Sequence, residues 1–211
     1  MDLVASTLSF RYPRGTALFD SWDCTFRTGQ VTAVAGRSGS GKSTLMFMLG
    51  LMLRPSSGEI LVGEVPYGHA NDATRARARA RLFGFVFQDA ALDPHRTVLD
   101  NVLEPTLYAG RSRAESLPIA QNLLARFGVA LRADAKPGQI SGGQAQRIAL
   151  CRALLGDPPV LLADEPTGNL DAESSAVVFA ALREHATRGH VVVVVTHDHH
   201  IAAQCDRIVT L

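Results

Sequence analysis

Gly36-Arg-Ser-Gly-Ser-Gly-Lys-Ser-Thr44 is the stretch on which the reading of this chain turns. It follows the apolar run Val31-Thr-Ala-Val-Ala35 and precedes a helix-forming segment from Lys42 to Leu53, so it joins a buried strand to a helix. It satisfies the pattern GxxxxGK[ST] in full, in the strand–loop–helix setting that gives the pattern its meaning. Glycines let the backbone turn tightly and bring its N–H groups close to phosphate oxygens. The helix that starts there adds a positive dipole end. In this arrangement Gly36, Arg37, Ser38, Gly39, Ser40 and Gly41 form the cradle, and Lys42 supplies positive charge for the β and γ phosphates. The Ser43 hydroxyl can ligate Mg²⁺, and Thr44 can bond another phosphate. Taken alone, the loop says only that the chain holds nucleotide phosphates.

Outward from the loop, Val160-Leu-Leu-Ala163 and Val191 to Thr196 are further continuous apolar runs. Such runs belong to strands buried on both faces of a parallel sheet. Helical segments at Gln144 to Leu155 and Ser174 to Thr187 alternate with them, which predicts an α/β fold with a P-loop NTPase core and a mainly parallel sheet. The front differs. Leu8 to Phe10, the segment near Phe26, and Glu59 to Val62 read as an N-terminal antiparallel β subdomain. Asp89 to Gln139 is rich in helix formers and reads as a helical insertion, within a single domain spanning 1–211 whose helical subdomain covers about 89–156. The charge run Arg75-Ala-Arg-Ala-Arg-Ala-Arg81 places Arg75 and Arg79 on one helix face and Arg77 and Arg81 on another. It is expected to be a solvated helix.

Polar groups follow the apolar runs at the strand ends where open parallel sheets bind ligands. Asp164 is placed to hold Mg²⁺, through water, and Glu165 to orient and activate an attacking water. His197, in Val195-Thr-His-Asp198, can reach a γ-phosphate. His199 and His200 follow it, but metal ligation needs a convergence that spacing alone does not show, so only His197 is taken to face the nucleotide. Ile140-Ser-Gly-Gly-Gln144 opens a helix with a hydroxyl and free N–H groups, a second phosphate-suited helix end. One nucleotide rarely needs two such cradles from one chain, and a second copy offers a natural solution.

Bulk properties narrow the classes. A net charge of +1 over 211 residues does not fit a strongly basic nucleic-acid binder. Cys24, Cys151 and Cys205 form no CxxC pair and favour a reducing compartment. No run is long enough to cross a bilayer, and no signal-peptide pattern opens the chain, so work at a membrane requires an anchoring partner.

The order of these motifs resembles the nucleotide-binding domain of ATP-binding-cassette transporters over essentially the whole chain. Tyr12 falls where that family has the aromatic that stacks on adenine, although Phe10, Tyr12 and Phe19 could all be core aromatics. Gly36 to Thr44 matches Walker A. Gln88, after Gly84-Phe-Val-Phe, matches the Q-loop glutamine, a further Mg²⁺ ligand beside Ser43 and Asp164. Ser141, Gly142, Gly143 and Gln144 match the signature, with Ile140 where leucine is usual. Val160 to Glu165 matches Walker B, Asn169-Leu-Asp171 the D-loop with Asp171, and His197 the switch histidine.

The resemblance implies an ATPase using ATP and Mg²⁺, with Glu165, His197, Lys42 and Gln88 as catalytic residues. It implies a head-to-tail dimer with a second copy or a related cassette, in which Ser141 to Gln144 act in trans. It also implies an integral membrane permease as partner, its coupling helix received near Asp89 to Pro105, and no nucleic acid. The chain would then sit in the cytoplasm against the inner face of the plasma membrane. Glu165-Pro-Thr-Gly-Asn-Leu-Asp171 looks like the lipoprotein-release, macrolide-export and division-associated subgroup. Leu92-Asp-Pro-His-Arg-Thr-Val98 and Glu104-Pro105 look more like peptide-import cassettes. The export or mechanical type is favoured. The alternatives are a peptide-import cassette and a regulatory cassette that signals without moving solute. A chromosome-type or translation-type cassette would need a coiled coil, a zinc insertion, a basic stripe or tandem units.

Overall fold

Alternating burial at the front of the chain and uninterrupted burial behind it sort the strands into two sheets. The computed structural model describes residues 1–13, 16–37, 39–168 and 170–211. Strands β1 (Leu3–Arg11) and β2 (Ala17–Phe26) form a hairpin, followed by β3 (Val31–Ala35) and helix α1 (Lys42–Leu49). Next come β4 (Ser57–Val62), β5 (Val65–Pro66), α2 (Asp72–Leu82) and β6 (Phe83–Val86). Helices α3 (Val98–Leu103), α4 (Pro105–Ala109), α5 (Arg113–Arg126) and α6 (Gly142–Leu154) then run in succession. The chain closes with β7 (Val160–Asp164), α7 (Ala172–Thr187), β8 (Val191–Thr196), α8 (His199–Gln204) and β9 (Arg207–Thr210).

The first sheet is antiparallel, in the order β2-β1-β4-β5. In β1, Leu3 and Ala5 are buried, and then Leu8 and Phe10, so the alternation changes frame between them. The ladder is irregular at that point and Thr7 takes φ +46°, as expected of a bulge. The second sheet is parallel, in the order β6-β7-β8-β3-β9. Its strands send alternate side chains into two cores. Leu161, Ala163, Val192 and Val194 pack with the α3, α5, α6 and α7 side chains, while Leu162, Val193 and Val195 pack with α1 and the antiparallel sheet. Both faces are therefore covered, and unbroken valine runs are the sequence trace of that covering.

Three expectations need correction. Helix α1 stops at Leu49 rather than Leu53, because Gly50 caps it and Leu51 turns to φ +60° although the apolar run continues. The segment that follows Gln88 is loop as far as Thr97, and its first helix is α3. The arginine run is not uniformly solvated. Arg75 is buried at 3% exposure, and Arg79 Nη1 donates to the Leu51 carbonyl at 2.6 Å, while Arg77 and Arg81 lie outward. The face pairing follows helical periodicity, but tertiary packing turns one of the two faces inward. Burial, with Arg54 and Arg79 close by, lowers the Arg75 pKa.

Candidate functional site

The order of the parallel strands decides which loops meet. With β8 between β7 and β3, the loops leaving their C-terminal ends are neighbours, and β6 beside β7 adds the loop that carries Gln88. Asp164 pairs with Val195 across β7 and β8, and Ala35 pairs with Thr196 across β3 and β8. Glu165 therefore emerges opposite Thr196, with the glycine loop on the other side of the same strand end.

These loops enclose a cavity of about 540 Å³ lined by Tyr12, Leu18, Gly39, Gly41, Lys42, Ser43, Thr44, Gln88, Asp164, Glu165 and His197. Gly39 (φ +81°) and Gly41 (φ +94°) occupy left-handed backbone open to glycine, and Gly41 caps α1, so helix N–H groups face the cavity. Lys42 is buried, and its Nζ donates to the Gly36 and Arg37 carbonyls at 2.9 Å each. Gly36, Arg37 and Ser40 are not among the lining residues and contribute to the loop's shape, with Ser40 N donating to Arg37 O at 3.1 Å. Gly36 is needed for packing: a Cβ there would lie 2.7 Å from Ser40 Oγ and 2.8 Å from the Leu211 carbonyl. Ser38 and Asn169 lie outside the described residues.

Ser43 Oγ donates to Asp164 Oδ2 at 3.1 Å. Burial raises the Asp164 pKa, and the neighbouring Glu165 charge adds to this, while the Ser43 bond and Lys42 oppose it. Glu165 is buried and takes φ +44°, an uncommon backbone for a carboxylate residue. Its carboxylate is over-determined. Oε1 accepts from His197 N at 2.8 Å and contacts His197 Nδ1, and Oε2 accepts from Thr196 Oγ1 at 2.9 Å. His197 itself is open, its side chain 70% exposed. Of the three aromatics considered at the front, Phe10 and Phe19 are buried, while Tyr12 is 47% exposed at the cavity rim. The Tyr12 ring meets Phe10 edge-on at 4.8 Å, and its hydroxyl lies 3.1 Å from Thr44 Oγ1. His199 and His200 begin α8 and do not line the cavity.

Ser141 to Gln144 also lie outside this lining. Ser141 caps α6: its Oγ accepts from Gln144 N at 3.2 Å, and Gln144 Oε1 accepts from Ser141 N at 3.0 Å. Ser141 and Gly142 face solvent, and Gly142 edges a small cleft of about 110 Å³ shared with Gln88 and Glu165. Asp171 caps α7 through Ser174 N at 2.7 Å, and that bond lowers its pKa.

Three residues escaped the sequence reading. Thr196 ends an apolar run and carries no signal of its own, because its role depends on the β7–β8 register. We expect Thr196→Val to lower kcat for hydrolysis by about fivefold, the worth of one hydrogen bond of ~1 kcal/mol, with nucleotide affinity unchanged. Thr196→Ser should restore it, and steady-state kinetics with separate kcat and KM values checks both. The other two lie on α6 and clamp the Gln88 loop. Gln146 Nε2 donates to the Phe87 carbonyl at 3.1 Å, and Arg152 donates to the Ala91 and Ala90 carbonyls at 2.6 and 2.8 Å. Ala90 and Ala91 sit at φ +59° and +45°, so the clamp holds a strained turn.

Comparison with known proteins is consistent with this geometry. The family profile described as ABC transporter matches residues 19–168. A macrolide export ATP-binding/permease protein, MacB 2 of Aeromonas hydrophila, is 46% identical over 90% of this chain and 29% of its own length. A pyoverdine export ATP-binding/permease protein, PvdT of Pseudomonas fluorescens, is 45% identical over 90% of this chain and 29% of its own. The chain thus spans under a third of the length of these curated relatives. Among solved structures, the dimeric form of MJ0796, a bacterial ABC transporter cassette, superposes with a TM-score of 0.90 at 31% identity, covering 99% of this chain and 94% of that one. A post-hydrolysis state of the same cassette, bound to ADP and Pi, gives a TM-score of 0.92.

Proposed function

The chain belongs to the ABC transporter family, and from that premise we propose that it is the ATP-binding and hydrolysing subunit that drives a membrane permease, of the export or mechanical type. The observation that carries the proposal is the Glu165 carboxylate, fixed by Thr196 and His197 on the rim of a cavity whose floor is the Gly39–Thr44 loop. A carboxylate held this way can accept a proton from a water aimed at the γ-phosphate, while loop N–H groups and Lys42 stabilise charge on the phosphates.

Ser43, Asp164 and Gln88 would hold Mg²⁺. Their hydroxyl, carboxylate and amide oxygens are the hard donors that ion takes, and Ser43 and Asp164 are already in contact. Held there, Mg²⁺ would supply positive charge that offsets the charge of the phosphates. Tyr12, at the cavity mouth, would carry the adenine ring. Because Ser141 to Gln144 do not line this cavity, they would serve the nucleotide of a second copy, in a head-to-tail dimer that closes on ATP and opens after hydrolysis. Asp171, exposed at the start of α7, would lie along that dimer seam.

The permease would dock in a groove of about 500 Å³ bounded by Met52, Phe85, Phe87, Glu104, Tyr108 and Arg111, next to the Gln88 loop. The domain described here would then work from the cytoplasmic face of a membrane, and no described helix is long and apolar enough to cross one. The named export functions of MacB 2 and PvdT favour the export reading over peptide import. Purification of the cassette with its multi-span permease, followed by ATP-dependent solute movement in vesicles, tests the proposal. A complete, ATP-hydrolysing complex that moves no solute would instead make this a signalling cassette.

A further inference from the structure

Far from the nucleotide cavity, at the N-terminal edge of the parallel sheet, three metal-competent side chains converge. Asp157 precedes β7, His185 lies in the last turn of α7, and His190 precedes β8. One Asp157 oxygen lies 3.4 Å from His190 Nε2 and 3.8 Å from His185 Nδ1, and all three donor atoms fall within 4.8 Å of one another. Two metal–ligand bonds of about 2.0–2.1 Å at the tetrahedral angle set their donors about 3.4 Å apart, the spacing that Asp157 and His190 already have, while His185 lies somewhat further out.

The protonation states fit. His185 Nε2 lies 2.8 Å from the Pro158 carbonyl, which can only accept, so Nε2 carries the proton and Nδ1 keeps a lone pair directed at the cluster. A backbone carbonyl that fixes the tautomer in this way is the usual support of a metal-bound histidine. Burial pushes the His185 pKa down to about 4, so the ring is neutral near pH 7 and Asp157 forms no ion pair with it. The His190 ring stacks on His185 with centroids 4.4 Å apart and 23° between planes, so one ring must turn for both in-plane lone pairs to meet at a single ion.

A cation already binds two of the three residues. Arg188 Nη2 lies 2.5 Å from Asp157 Oδ1 and 3.0 Å from His185 Nδ1, donating to both. Its side chain is about half exposed at the C-terminal cap of α7, so solvent could hydrate the guanidinium if a metal displaced it. We propose that Asp157, His185 and His190 form a site for a divalent first-row transition metal of the zinc class, in which the metal replaces the Arg188 guanidinium and water completes the coordination. Two imidazoles and one carboxylate select zinc-class ions over Mg²⁺. The bound metal would tie the end of α7 to the approaches of β7 and β8. This site is separate from the proposed ATPase centre, whose donors are all oxygen.

Calorimetric titration of Zn²⁺ into the chelator-treated full chain tests this. The expected result is one Zn²⁺ per chain, not displaced by excess Mg²⁺. Affinity should fall at least tenfold in Asp157→Asn/His190→Ala and rise in Arg188→Ala. It should be unchanged in His199→Ala/His200→Ala, which removes the exposed histidines of α8. If the double variant folds poorly, the single His190→Gln serves, read by the visible absorption of bound Co²⁺, which should be lost. No stoichiometric binding to the wild-type chain, binding that survives loss of His190, dependence on His199 and His200, or unchanged affinity in Arg188→Ala would each overturn the site.

Discussion

Replacing Glu165 by Gln is expected to slow ATP hydrolysis at least tenfold while ATP still binds, and to trap an ATP-bound dimer. A positioned general base contributes about 10²–10⁴-fold in rate, so tenfold is the modest end of the range. The substitution is nearly isosteric, but it removes the basic oxygen. Glu165 now accepts from Thr196 Oγ1 on one oxygen and from His197 N on the other. An amide keeps only one acceptor, so one of those donors also loses its partner. Among the described residues, no glycine-loop hydrogen bond involves Glu165, which is why binding should persist. The Glu165 charge also helps raise the Asp164 pKa, and its loss should ease ionisation of Asp164 rather than hinder it. Single-turnover hydrolysis, ATP calorimetry and size-exclusion chromatography with ATP check the three parts. Wild-type turnover in the variant would remove Glu165 from its proposed role.

The second large effect is on binding. Lys42→Ala should weaken ATP affinity by about ten- to a hundredfold, since a charge-assisted hydrogen bond is worth about 1.5–3 kcal/mol. Lys42 lies beside the cavity with its ammonium on the Gly36 and Arg37 carbonyls, so its charge needs only a small displacement to reach a phosphate oxygen. Truncation also leaves those carbonyls without that partner, and part of the loss should appear as a looser loop. Thermal unfolding without nucleotide separates the two contributions, since a purely structural effect would lower Tm without ATP and leave the ATP-induced rise intact. Unchanged affinity by calorimetry would count against the loop assignment.

What could be read from the sequence was whatever is local. The glycine loop announces itself, because each of its residue types meets a backbone or charge requirement within nine positions. The runs Val160 to Ala163 and Val191 to Thr196 announce strands covered on both faces, and their acidic and histidine ends follow directly. Features set by register or packing stayed hidden. Thr196 matters because β7 and β8 are aligned so that it faces Glu165, and nothing in Val-Thr-His-Asp states that alignment. Strand β9 (Arg207–Thr210) is short and begins with a charge, and it is recruited by pairing with β3 rather than by its own pattern. Arg75 looked solvated because its neighbours are charged, yet packing buries it. Asp157, His185 and His190 are spread along the chain and are collected only by strand order and the end of α7.

Helix α6 links what a list of motifs leaves apart. Ser141 is its cap, Gln146 holds the residue before Gln88, and Arg152 grips the two residues beyond Asp89 and lies 3.8 Å from Glu104 at the edge of the groove. Bolted at these points, the helix is placed to act as a crank between the groove and Ser141. A push delivered at the groove would then reach the far end at Ser141 through the helix, and a shift at Ser141 would return the same way. On the proposed function, the grip of two side chains on three carbonyls therefore sets how closely a docked permease and the Gln88 loop move together, and loosening it would weaken that coupling and disturb Gln88 as well.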